Sequence, residues 1–64
     1  MPPRVREVVA MLESMGFRLL RRGKGDHSLY VRGTDTEVID GGPNHEMSKG
    51  LWEKLRKKYG LRRK

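Results

Sequence analysis

The sequence predicts a small α+β domain in the order α-β-β-β-α: a three-stranded antiparallel sheet with two helices on one face. Three observations predict it. Apolar residues recur at three- and four-residue steps near both ends of the 64-residue chain, which is helical spacing. Between them lie three short runs rich in strand-forming residues, joined by glycine-containing turns; strands joined so tightly pair antiparallel. Two amphipathic helices and a single sheet bury both apolar stripes when they share one sheet face.

The first helix is expected over residues 4–15. Pro3 is acceptable at a first helical position. Val5, Val8, Val9, Leu12 and Met15 make the apolar face, with Arg4, Arg6, Glu7, Ala10, Glu13 and Ser14 opposite. Gly16 follows the last periodic residue and suits a left-handed cap. Phe17 to Arg22 reads as a strand ending in basic residues, with Phe17 and Leu19 alternating with Arg18 and Leu20. Gly23-Lys24-Gly25-Asp26 is a turn, in which Asp26 is suited to bonding nearby backbone amides. Ser28 to Arg32 is the second strand, carrying Leu29, Tyr30 and Val31. After a turn at Gly33-Thr34-Asp35, the third strand runs from Thr36 to Asp40. Gly41-Gly42-Pro43-Asn44 is the strongest break. Ser48 then caps a second helix that continues to Tyr59 and ends at Gly60, with Leu51, Trp52, Leu55 and Tyr59 on one face. One domain over 1–61 and a basic tail over 62–64 follow.

Hydrophobic residues are 34% of the chain and charged residues 36%, so only a modest core is available in a domain near the lower size limit. The absence of cysteine excludes disulfides and thiolate chemistry and fits a reducing compartment. No apolar run approaches the roughly 18 residues of a membrane span, and no signal-peptide core follows Met1. A cytoplasmic protein with no membrane partner is expected.

Lysine and arginine outnumber aspartate and glutamate 15 to 8, for a net charge of +7. A surplus of that size in a small domain favours polyanionic partners. The charge is uneven. Residues 49–64 hold Lys49, Lys54, Arg56, Lys57, Lys58, Arg62, Arg63 and Lys64 against Glu53 alone, and a second group gathers at Arg18, Arg21, Arg22 and Lys24. The segment 35–46 carries Asp35, Glu37, Asp40 and Glu46 without a lysine or arginine.

Between the basic groups stands Gly23-Lys24-Gly25-Asp26-His27. Glycines there permit positive φ and close approach of a phosphate chain, and histidine takes and gives protons near neutrality. Proton transfer within a cationic turn is what cleavage of an RNA phosphodiester requires. The Gly23-Lys24-Gly25 run is too short for a nucleotide-phosphate loop. Asp26, His27, His45 and Glu46 match no recognised metal-ligand spacing. No metal and no small-molecule cofactor are expected.

Several of these residues together resemble the HicA toxins. They are the element order, the Gly16-Phe17 pair ending the first helix, Gly25-Asp26-His27 followed by Tyr30, the run Glu46-Met47-Ser48-Lys49-Gly50-Leu51-Trp52, and Tyr59-Gly60-Leu61. The likeness spans 4–61. Asp26 stands where that family most often has serine, and Trp52 and Arg56 replace aliphatic residues. The resemblance implies a fold similar to double-stranded-RNA-binding domains. It also implies a metal-independent mRNA interferase, neutralised by a HicB-like antitoxin, with His27 in the position of the family's catalytic histidine.

The candidate site is therefore His27 as general acid or base, with Arg21, Arg22, Lys24, Arg32, Lys54, Lys57 and Lys58 as candidates for RNA contact. If the 2′-hydroxyl attacks, the product is a 2′,3′-cyclic phosphate. Structural readings stand beside these. His27 shares strand parity with Leu29 and Val31 and would point with them, into the core, if the ladder began at residue 27. Tyr30 either stacks a base or packs, and Trp52, at helical spacing with Leu51 and Leu55, reads as core rather than as a base platform. Two further functions stay open: a non-catalytic RNA-binding module of the same fold, and an accessory protein of DNA or the ribosome bound through its basic tail.

Overall fold

Backbone satisfaction explains where the first helix begins. In the computed structural model, which describes residues 1–62, helix α1 spans Val5–Ser14 with Arg4 as its N-cap. The first N–H groups of a helix have no partner within it. Here the Arg4 N–H donates to Glu7 Oε2 at 2.7 Å. The Val5 and Arg6 N–H groups donate to the carbonyls of His45 and Pro43 at 2.8 and 3.0 Å. The loop before the second helix thus closes the first, and a bridge between Arg4 and Glu46 adds to the strap. At the other end Gly16 takes φ 99°. The Phe17 N–H reaches the Leu12 carbonyl and the Gly16 N–H that of Glu13, both at 3.0 Å, the paired bonds of a Schellman cap.

Strands β1 (Arg18–Arg22), β2 (Ser28–Arg32) and β3 (Asp35–Ile39) form one antiparallel sheet in that order. β2 pairs with β3 from Ser28↔Ile39 to Arg32↔Asp35. The two-residue turn Gly33-Thr34, with Gly33 at φ 60°, suits a tight hairpin. It starts β3 one residue earlier than the sequence suggests. The β1 register slips between Leu19 and Arg21, a bulge that breaks the alternation expected there. Every residue of β1 is exposed. Phe17, expected within the strand, stands just before it and is buried. β1 and β3 are the two edges of the sheet.

Helix α2 spans Lys49–Tyr59; Ser48 Oγ accepts the Leu51 N–H, and Gly60 closes it in the left-handed conformation at φ 66°. Both helices pack on the sheet face that carries Tyr30 and Ile39. Val5, Val8 and Leu12 from α1 and Trp52 and Leu55 from α2 join Phe17, Met47 and Leu61 there. Arg56, where an aliphatic residue would be usual, points to solvent and pairs with Glu53 at 2.8 Å, so the core makes no room for it. The order, the antiparallel sheet and the two helices are those expected. Of the basic tail over 62–64, Arg63 and Lys64 lie outside the described residues.

The parity of β2 is settled against the core orientation considered for His27. Tyr30 faces the helices and is 7% exposed, which makes it a packing residue. Leu29 and Val31 lie on the opposite, helix-free face beside Val38, which is 56% exposed. Glu37, paired with Tyr30 across the sheet, is buried at 2% exposure. Its carboxylate accepts the Tyr59 hydroxyl and the Lys58 ammonium at 3.0 Å, with Lys54 at 3.7 Å. Burial alone would raise its pKa, but the hydrogen bonds from Tyr59 and Lys58 and the charges of Lys58 and Lys54 together lower it.

A carboxyl lowered in the folded state stabilises above its unfolded value, about 4.3, and loses that contribution as pH falls through the folded one. We expect urea midpoints to hold level from neutrality to about pH 5 and to fall below the ordinary glutamate range. Glu37→Gln should flatten that part of the profile. An acid dependence unchanged by the substitution would remove Glu37 as its source.

Candidate nucleic-acid interface and the His27 site

The loop from Gly23 to His27 joins β1 to β2 and is closed by its backbone. The Gly23 N–H donates to the His27 carbonyl at 2.8 Å and the His27 N–H to that of Lys24 at 3.4 Å. Gly25 sits at φ 64°, where a side chain would be strained. With the ladder starting at Ser28, His27 is the first residue outside it, free of core packing. Its side chain is 54% exposed, and Nε2 lies 3.6 Å from Asp40 Oδ1. That separation is too long for a hydrogen bond and short enough for the carboxylate to balance an imidazolium. Arg21, Leu29 and Val38 share a shallow hollow of about 160 Å³ with the imidazole.

The candidate residues fall into three places. Arg21, Arg22, Lys24 and His27 gather at one end of the sheet, around the β1–β2 loop, and the three cations are exposed there. Arg32 is at the other end of β2, held to core groups. Its guanidinium donates to the Met15 carbonyl at 3.3 Å and to Asp35 Oδ2 at 3.1 Å, and it stacks 4.8 Å from the Phe17 ring centroid. Lys54 and Lys58 on α2 are drawn to Glu37, while Lys57 extends to solvent. The structure therefore brings the loop cations to His27, and it brings neither Arg32 nor the α2 lysines there. Asp26 makes no side-chain hydrogen bond or ion pair among the described residues.

The partner of His27 is Asp40, which the sequence did not single out. Its signal was the hairpin register: if Ser28 pairs with Ile39, the residues just outside that pair, 27 and 40, face each other. Among the described residues no three His, Cys, Asp or Glu side chains gather as a metal ion would need. His45, the other histidine, serves through its carbonyl at the α1 N-terminus. Among the described residues no helix is long and apolar enough to cross a membrane.

The chain is thus a small basic α-β-β-β-α domain with an exposed histidine at the cationic end of its sheet. This chain belongs to the HicA toxin family: the family model described as the HicA toxin of bacterial toxin–antitoxin systems matches residues 5–61, from the first residue of α1 to the buried Leu61. Its role is that of the toxin in a toxin–antitoxin pair. No curated protein and no solved structure matches the chain.

Proposed function

We propose that this toxin is a metal-independent endoribonuclease that cleaves mRNA, with His27 as its general acid or base, and that a HicB-like antitoxin restrains it. The observation that carries the reading is the environment of His27: a half-exposed imidazole outside the sheet ladder, opposite Asp40 and beside Arg21. RNA brings its own nucleophile. The 2′-oxygen forms a bond to phosphorus as the P–O5′ bond breaks, one proton leaves the 2′-hydroxyl and one reaches the departing 5′-oxygen. His27 is available for either transfer. Arg21, Arg22 and Lys24 supply fixed positive charge for the phosphorane, and such stabilisation often accelerates a reaction more than proton transfer does. Asp40 faces the ring and attracts it when it carries a proton. Lys57 and the exposed cations of α2 extend the surface for the polyanion.

The test is incubation of the protein with long single-stranded RNA in EDTA, read by gel and by end-group analysis. Cleavage that leaves 2′,3′-cyclic phosphate is expected. A folded protein that binds the RNA and leaves it intact would make this a binding module instead. Asp40→Asn should slow single-turnover cleavage only about two- to fivefold, the scale of an exposed ion pair. A loss as deep as that of His27 itself would assign Asp40 a direct part in proton transfer.

A further inference from the structure

Between α1 and the helix-covered face of the sheet runs a groove of about 290 Å³, close to the lower end of small-molecule sites, roughly 300 Å³. Val9 and Ile39 give it an apolar floor. Ser28 and Tyr30 line it as well, and both are more than nine-tenths buried. Neither side-chain hydroxyl has a hydrogen-bond partner among the described residues, and neither is sealed from solvent. Both residues line the groove, and their hydroxyls are open to a ligand. Burial and the Glu13 charge raise the pKa of Tyr30, so its hydroxyl stays a donor.

The charged residues are ordered along the groove. Arg6 stands at the end closed by Gly41 and Pro43, with its N–H on the Pro43 carbonyl and its guanidinium 3.2 Å from Asn44 Oδ1. Glu13 lies two helical turns further along α1, roughly 10 Å by helical rise. Arg22 lines the groove from β1. The Arg6 end is also the His27 end of the sheet, since Ser28 follows His27 and Ile39 and Gly41 flank Asp40, with the imidazole on the opposite face beside Leu29 and Val38.

We propose that this groove is a nucleotide subsite: the base lies on Val9 and Ile39 with its edge on the Ser28 and Tyr30 hydroxyls and Glu13, and its phosphate turns toward Arg6 and Arg22. Hydroxyls and a carboxylate together match the mixed donors and acceptors of a base edge, and the two guanidiniums match the anion. The subsite deepens the ribonuclease reading and rests on it for its biological use. It would seat a nucleotide of a substrate strand that passes round this end of the sheet from the face on which His27 acts.

The experiment is an NMR titration of the whole protein with 5′-CMP, ribose 5-phosphate and inorganic phosphate. CMP should shift Val9, Ser28, Tyr30 and Ile39 and bind about tenfold more tightly than ribose 5-phosphate, the scale of one or two net hydrogen bonds. Tyr30→Phe should weaken CMP about three- to tenfold, and Glu13→Gln, at an exposed position, supplies an independent loss if the first variant folds poorly. Equal affinity for CMP and ribose 5-phosphate, or CMP shifts confined to α2, overturns the subsite. So do two folded variants that bind CMP as the wild type does. The two readings separate cleanly. RNA cleavage without CMP in the groove sinks the subsite alone, and CMP in the groove with no RNA cleavage sinks the ribonuclease reading alone.

Discussion

Replacing His27 by alanine should reduce RNA cleavage at least about 10²–10⁴-fold, the contribution of one general acid or base, while RNA affinity stays within about twofold. The two effects separate because of where His27 stands. Its side chain is half exposed, and the loop that carries it is closed by backbone hydrogen bonds that alanine keeps. Affinity rests on cations that the substitution leaves alone, Arg21, Arg22 and Lys24, since phosphate neutralisation dominates binding to nucleic acid. Gel kinetics, filter binding and a thermal melt on one preparation read all three quantities. An alanine variant that cuts as fast as the wild type would remove His27 from the chemistry.

The largest effect on stability is expected from Leu12→Ala. Leu12 is fully buried, and its carbonyl receives the Phe17 N–H that turns the chain out of α1. Truncating a buried leucine costs about 2–5 kcal/mol, in proportion to the cavity left. A chain of this length has about 3–10 kcal/mol in all. The variant should therefore be partly unfolded at ambient temperature, with its urea midpoint shifted far down. A loss below about 1 kcal/mol would mean that the small core collapses into the space.

How much of this was legible in the sequence depended on whether the signal was local. The helices were, because Val5, Val8 and Leu12 on one and Trp52 and Leu55 on the other repeat at helical steps, and Gly16, Ser48 and Gly60 mark their ends within a few residues. The hairpins were, because glycine-containing turns at Gly23–Asp26 and Gly33–Asp35 separate short strand-forming runs, although β3 begins one residue earlier than read. The facing of β2 was not. Ser28-Leu29-Tyr30-Val31-Arg32 lacks clean polar alternation, and the buried member opposite Tyr30 is a glutamate, Glu37, whose partners Tyr59 and Lys58 lie on another element. The bulge in β1 was equally hidden, since Leu19 and Leu20 read as ordinary strand residues. At the candidate site, His27 and the loop cations were visible as neighbours along the chain. Asp40 was not, because its meeting with His27 depends on how two strands align. Arg32 looked like a phosphate ligand by type and is occupied instead with Phe17, Met15 and Asp35.

The exposed strand β1 has a further consequence. It is an unpaired edge bearing Leu19 and Leu20, the arrangement that invites a second copy to add its own strand. Arg18, Arg21 and Arg22 stand along the same five residues, so two such edges approaching each other meet as like charges. That protection is electrostatic, and at physiological ionic strength it reaches only about 8 Å. Concentrated salt would shorten it further while strengthening apolar attraction, so ionic strength sets how closely two such edges can approach.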